Sequence, residues 1–317
     1  MAVFNASILM SELRKASGLT QKRVAEGVCS RSTLCAIERG DFKPDWFIFR
    51  NVMMKLNVDP TRYYNDIVSE DETYVYNQQA INSKLLTAID IEGLKSQISK
   101  MEQDKRFAKG NGYLLLLASK SAMHHYEPCL DPDLAFKYAM EYLKILRSDF
   151  EIDKIPTYFL SPSELLTVNK IGNTYAFSGN HEKALEIFYM TLDNIEKNYM
   201  IDVCYQFEAA YFTLLSNAAL TLMRYVGRYD ESIQLADKGM DMMKDFYASV
   251  HYIHLLYSKA SSLIYLGRKQ EGEHEFRRCI MYAYAMNNDV NVEMTIEALK
   301  NDFEKQFNYK LDLTMQL

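Results

Sequence analysis

Three glycines set the strongest constraint on what this chain can fold into. Gly179, Gly227 and Gly267 each open the same spacing: a small residue five positions on (Ala184, Ser232, Gly272), a packing residue four beyond (Phe188, Ala236, Phe276), and a small residue three further (Thr191, Gly239, Cys279). Steps of three and four residues lie on one face of a helix, and a glycine between two such stripes ends one helix before the next begins. Going backwards, Gly172 and Tyr175 precede Gly179 by seven and four residues, and Ala260 and Leu263 precede Gly267 likewise. The pattern predicts helical hairpins at about 165–198, 213–246 and 253–286. Such a unit cannot bury its apolar face alone, so the hairpins must stack into an α-solenoid. A degenerate unit with a longer loop (Pro128, Pro132) is expected at 114–150. Helices from Thr73 to Phe107 form one more unit, and a last helix spans about Val292 to Phe307 ahead of a tail, Lys310 to Leu317.

Composition agrees with an all-α chain. Only 12 glycines and 6 prolines occur in 317 residues, while good helix formers are plentiful. With 48% apolar and 25% charged residues, wholesale disorder is excluded. The longer apolar runs, Tyr113 to Ala118 and Cys279 to Met286, fall far short of the roughly 18 residues a membrane span needs. Arg14 and Lys15 follow the apolar Ile8, Leu9 and Met10, the reverse of a secretory signal, so the expected location is cytoplasmic, with no membrane partner. The five cysteines (Cys29, Cys35, Cys129, Cys204, Cys279) are scattered without a CxxC pair, which suggests neither a disulfide framework nor a zinc site.

The first 66 residues differ from the rest in charge. They carry a net +3, whereas the remainder carries −9. Ile8, Leu9 and Leu13 share one face of a first helix, about Ala6 to Ser17, closed by Gly18. Thr20 caps a second helix with Val24 and Ala25 inward; Gly27-Val28-Cys29 breaks it, and Ser30 caps a third helix that runs to Arg39 and ends at Gly40. Two short helices joined by a tight turn form a helix-turn-helix. Pro44 is expected to open a fourth helix to about Leu56, and Asp59-Pro60 a fifth. Trp46, beside Phe47 and Phe49, is expected to pack this domain against its neighbours. The reading divides the chain into a helix-turn-helix DNA-binding domain, 1–66, and a repeat domain, 67–317.

The run Leu19-Thr20-Gln21, Val24 to Leu34 and Ile37-Glu38-Arg39-Gly40 resembles the DNA-binding domain of Cro and phage-repressor type regulators, over residues 6 to about 66. Its turn is one residue shorter than in most of that family and resembles the peptide-responsive regulators of the Rgg and PlcR (RRNPP) type. Side chains at the start of the third helix of such a domain face the major groove, so Arg31, Ser32 and Thr33 are candidates for base-edge contact. The resemblance implies that Gln21 touches phosphate, and Lys22, Arg23 and Arg39 are candidates for further phosphate contacts. Cys35 and Ala36 depart from the family pattern. One headpiece reads a half-site, so a homodimer on a palindromic operator in double-stranded DNA is expected.

The later segments resemble tetratricopeptide repeats, most clearly at 165–198. In that family the first helix of each repeat lines a concave surface. Asn169 and Asn173 lie four apart on such a helix, and Asn217 holds the same repeat position as Asn169. Asparagine amides both donate to and accept from a peptide backbone, so these three, with Tyr257 and Lys120, are candidates for binding a short signalling peptide, Lys120 meeting a terminal carboxylate.

Enzyme signatures are missing: the chain contains no GxxxxGK[ST], GxSxG, HExxH or GxGxxG. His251 and His254 are three apart, yet no third ligand is placed by spacing, and no cofactor or metal is implied. The expected function is therefore a peptide-responsive transcriptional regulator and not an enzyme. The alternative keeps DNA binding but makes the repeat domain a docking platform for another protein. Aspartyl-phosphatase relatives resemble the repeat domain but lack such a headpiece.

Overall fold

The computed structural model describes residues 6–60, 70–198, 205–243, 250–285, 297, 300–301 and 303–307. Among these the regular structure is helical, with no strand. The helix expected from Asp59-Pro60, Cys204, most of the last helix and the tail from Lys310 lie outside the described residues. The chain packs as two compact units, one of residues 1–180 and 189–211, the other of 181–188 and 212–317.

The first unit begins with the headpiece. Helix α1 (Ala6–Ala16) stops before Gly18; α2 (Gln21–Ala25) starts where the Thr20 hydroxyl accepts the Arg23 N–H at 3.2 Å, and α3 (Arg31–Arg39) where Ser30 accepts the Thr33 N–H at 3.0 Å. Each cap satisfies an amide that the first turn leaves unpaired, worth about 1 kcal/mol. Helix α4 (Trp46–Lys55) starts later than Pro44, because the Asp45 carboxylate takes the Ile48 N–H at 2.7 Å and so becomes the cap. Met10, Val24, Ala25, Leu34, Ile37, Phe49, Val52 and Met53 are at most 2% exposed and form the headpiece core. Trp46, expected to pack the domain against its neighbours, belongs to that core and is stacked on Phe49 at 6.1 Å. Its place on the inward stripe of α4, one turn before Phe49, decides this.

Helical hairpins follow. Helices α5 (Glu70–Thr87) and α6 (Ile91–Gln103), with a short 3-10 turn at Lys105–Phe107, bury Leu94, Ile98, Met101 and Phe107 with Leu116 of α7 (Gly110–Met123). Helix α8 (Pro132–Leu146) carries Asp131 as cap and proline first, and a 3-10 turn at Ile152–Thr157 leads to α9 (Pro162–Phe177). Ser161 and Glu164 form a reciprocal capping box at the start of α9. Helix α10 (His181–Asn198) follows a tight turn at Gly179.

The second unit contains the later part of α11 (Tyr205–Thr221), a π-helical turn at Leu222–Val226, and helices α12 (Tyr229–Met242), α13 (Val250–Tyr265) and α14 (Lys269–Ala285). The small-residue positions do what the spacing requires. A Cβ on Gly272 would stand 2.8 Å from the Ala260 carbonyl oxygen, so α13 and α14 meet at backbone distance. Phe276 fills the space beside them at 0% exposure, and burying its ring contributes about 2–3 kcal/mol. A further regularity was not legible in the spacing. The residue two after one repeat glycine stacks on the aromatic two before the next: His181 on Tyr225 at 4.6 Å, and Tyr229 on Tyr265 at 4.7 Å.

Candidate functional site

The surface expected to read DNA is presented by α3. Arg31 and Ser32 are exposed and Thr33 is half-buried. The Ser30 hydroxyl lies 2.7 Å from that of Ser32 and 2.8 Å from that of Thr33, so the cap also orients the two hydroxyls beside Arg31. Helix α3 is anchored from behind by Glu38, which takes both Arg14 Nε at 2.5 Å and Arg14 Nη2 at 2.8 Å. Burial pushes the Glu38 carboxyl up, and hydrogen bonds from Arg14 and Gln21 outweigh it, holding the group below its ordinary range.

The polar residues expected at phosphate divide into two groups. Lys22 is exposed. Arg39 is exposed as well and pairs with Asp41 at 2.8 Å. Gln21 is half-buried and donates to Glu38 at 2.9 Å. Arg23 points elsewhere: its guanidinium donates to the Thr157 carbonyl at 3.2 Å and lies 5.2 Å from the centre of the Phe159 ring. That commits it to the contact between headpiece and repeats, which spacing within the headpiece had no means of showing.

Among the described residues this contact gathers three buried charged side chains. From the headpiece come Glu26, Gly27 and Lys55; from the repeat side come Arg147, just past α8, and Glu164, in the first turn of α9. Arg147 Nη1 meets Glu26 Oε1 at 2.5 Å, and Arg147 Nη2 lies 3.6 Å from Glu164 Oε1. The Lys55 ammonium donates to the Glu26 carbonyl and sits 5.2 Å above Phe159. Lys55, Arg147 and Glu164 are 1%, 4% and 0% exposed. Burial pulls Lys55 down to about 8 and pushes Glu164 up, the latter opposed by the charges of Lys55 and Arg147. Gly27, at φ 68°, sits where a Cβ would come 2.5 Å from Glu164 Oε1. Sequence reasoning missed Lys55, Arg147 and Glu164. The one available signal was the Ser161-Pro162-Ser163-Glu164 capping pattern, which marks a helix start but not its partner.

On the repeat side of the first unit, Asn169 is 5% exposed and Asn173 half-buried. Between them Lys170 turns to α7 and donates to the Ala118 carbonyl at 2.8 Å; burial lowers it to about 8. His125 lies against the same helix, 3.0 Å from the Thr174 hydroxyl, and burial lowers it to about 4. Lys120 is paired with Glu102 at 2.5 Å and lies 5.2 Å from the Tyr138 ring.

In the second unit Asn217 is half-buried. Tyr257 is 1% exposed; its ring packs between Phe276 and Phe303, and its hydroxyl donates to Gln306 at 3.3 Å. Residues 303–307 therefore cover the repeat position at which Tyr257 was expected to meet a ligand. His251 lies 3.2 Å from the Thr213 hydroxyl, and burial lowers both His251, to about 4, and His254. No group of three metal-ligating side chains occurs among the described residues.

No protein-family model and no curated protein sequence matches the chain. Solved structures do. PlcR of Bacillus thuringiensis, in complex with the peptide PapR7 and DNA, superposes with a TM-score of 0.60 at 18% identity, over 94% of this chain and 99% of that one. The apo form of the competence regulator ComR from Streptococcus vestibularis gives 0.51 at 15% identity, over 94% and 98%. ComR of S. thermophilus, in complex with DNA and its signalling peptide ComS, gives 0.51 at 14%, over 94% and 99%. No helix among the described residues is long and apolar enough to cross a membrane. The caps of the headpiece, the glycine-spaced hairpins and these superpositions agree: the chain has the fold of PlcR and ComR, a helix-turn-helix headpiece followed by tetratricopeptide-like repeats.

Proposed function

We propose that the chain is a DNA-binding transcriptional regulator whose repeat domain binds a short signalling peptide and thereby modulates how a dimer grips a palindromic operator. One observation carries the reading: Arg31 and Ser32 stand exposed at the capped start of α3, in a headpiece joined to repeats over nearly the full length of two regulators solved with DNA and peptide. Arg31 is suited to a guanine edge, with Ser32 and Thr33 beside it. Lys22 and Arg39 supply phosphate contacts and Gln21 orients α2 through Glu38, while Arg23 is engaged by the repeat side. The peptide-binding candidates are Lys120, Asn169 and Asn173 in the first unit and Asn217 and Tyr257 in the second. Asn173 and Asn217 are the more accessible of these side chains, whereas Tyr257 is covered by residues 303–307 and Lys120 is paired with Glu102.

The test is selection of duplexes from a random-sequence pool by the full-length protein, followed by ultracentrifugation with the enriched duplex. The expected result is a two-fold symmetric consensus with half-sites about one helical turn apart, bound by two chains. Enrichment of no duplex, or a monomer on an asymmetric site, overturns it. Synthetic peptides from small reading frames beside the gene, titrated calorimetrically, test the effector half of the reading.

A further inference from the structure

The outward side of α3 is not uniformly polar. Leu34 and Ile37, both 0% exposed, fix the inward direction of the helix. At about 100° per residue the opposite side then carries Ser32, Cys35, Ala36 and Arg39, with Arg31 on its shoulder. Arg31, Ser32 and Arg39 are exposed, and Cys35 and Ala36 are half-buried between the polar start of the helix and its basic end. Glu38 turns away from this side, towards Arg14 and Gln21.

Two small apolar side chains thus occupy the middle of a stripe that otherwise carries polar and basic groups. Packing within the headpiece does not account for them. Cys29, the other cysteine of the headpiece, packs against its core, whereas among the described residues Cys35 is not part of that packing, and its thiol is free. Both side chains are short, so the helix can approach an opposing surface more closely there than lysine or glutamate would allow. The stripe is also held firmly, since Ser30 caps α3 at one end and Gly40, at φ 82°, closes it at the other.

The edges of the bases in the major groove offer one apolar group, the C5 methyl of thymine. We propose that Cys35 and Ala36 select thymine, each packing on a C5 methyl, so that a half-site joins the guanine read by Arg31 to thymines beside it. The inference rests on the functional reading above and adds the base chemistry that α3 recognises. Four residues at 1.5 Å place Cys35 about 6 Å along the helix from Arg31, and base pairs rise about 3.4 Å, so the thymines fall within about two base pairs of that guanine. A cytosine there lacks the methyl and presents an amino donor, which Ala36 cannot accept and a thiol accepts only weakly.

Deoxyuridine differs from thymidine by this methyl alone, so it isolates the contact. The full-length protein is titrated by fluorescence anisotropy against a duplex that it has enriched from a random pool, and against copies in which one half-site thymine at a time is replaced by deoxyuridine in both symmetry-related positions. Each ratio of affinities is taken on one protein preparation, so a variant that is partly unfolded still gives a valid ratio. For the parent, two thymines within about two base pairs of the guanine are expected to lose about fourfold in affinity per methyl, the weight of one buried methylene group. In Cys35→Ser the ratio at one of these thymines is expected to fall to about one, and in Ala36→Ser the ratio at the other. Three results overturn the inference while leaving the functional reading intact: an enriched consensus with no thymine in that window, deoxyuridine copies bound as tightly as the parent duplex, or a methyl effect that is the same in the parent and in either serine variant. Enrichment of no duplex removes the functional reading itself, and the thymine assignment falls with it.

Discussion

Replacing Gly27 with alanine probes the contact between headpiece and repeats through the smallest possible change. At φ 68° any L-residue other than glycine pays about 1–2 kcal/mol for the left-handed backbone. The new methyl would also stand 2.5 Å from Glu164 Oε1 and 2.9 Å from Arg147 Nη2. Both atoms end flexible side chains, yet neither is free to swing, because Glu164 is 0% exposed and its other oxygen takes the Ser161 N–H at 2.8 Å. Relief therefore requires either withdrawing the carboxylate from its cap, at about 1 kcal/mol, or parting headpiece from repeats. The expected loss is about 2–3 kcal/mol. Gly18→Ala is the internal control: its φ is 67° and nothing lies within 4 Å of the added carbon, so only the backbone penalty of about 1–2 kcal/mol remains. Urea unfolding of the full chain, with both variants and the parent under one set of conditions, measures the difference. If Gly27→Ala and Gly18→Ala fall within about 0.5 kcal/mol of each other, which is ordinary scatter for a surface change, the claim that Gly27 is reserved for the approach of Glu164 is wrong.

Three further outcomes are expected. Arg31→Ala should cost about 1–3 kcal/mol on an enriched duplex and little on random DNA, while Lys22→Ala should weaken both alike and reduce the salt slope by about one; equal behaviour of the two variants in a salt-dependent binding series removes the assigned division of labour. Asn173→Ala with Asn217→Ala should abolish the calorimetric response to the cognate peptide with unchanged melting, whereas Asn169→Ala, at 5% exposure, should also cost about 1–3 kcal/mol of stability; retained affinity in the double variant moves the ligand site elsewhere. Finally, burial holds His125 and His251 at about 4. As pH falls below about 6.5 the unfolded imidazoles take up protons that the folded ones refuse, so stability present above pH 6.5 is lost towards pH 4, by about 2 kcal/mol for each histidine at pH 5. His125→Gln with His251→Gln should flatten the fall in melting temperature between pH 7.5 and 5, and an unchanged slope contradicts the burial argument.

Local chemistry made much of the chain legible in advance. Thr20 and Ser30 cap α2 and α3, Gly40 closes α3, and the small residues after Gly227 and Gly267 let paired helices touch. Each of these is determined within a few residues, by unpaired amides, by φ, or by the three-and-four spacing of a helix face, so sequence alone is sufficient. The shift of the α4 start from Pro44 to Asp45 is of the same kind, a competition between two local signals that the carboxylate wins.

What the tertiary structure decided are the partners of charged and aromatic side chains across long sequence separations. Arg23 has a phosphate-seeking identity but stands against Thr157 and Phe159, 134 residues from its hydrogen-bond acceptor. Tyr257 holds a repeat position expected to face a ligand but is covered by Phe303 and Gln306, while Lys120 is matched to Glu102. Lys55, Arg147 and Glu164 look in sequence like solvated charges on or just beyond three unrelated helices, and only the packing of the headpiece on α9 removes them from water together. A helix pattern records which face is apolar, because that is settled by the chain's own period. It does not record which charge will be left to face which, because that depends on elements brought together only when the core has formed.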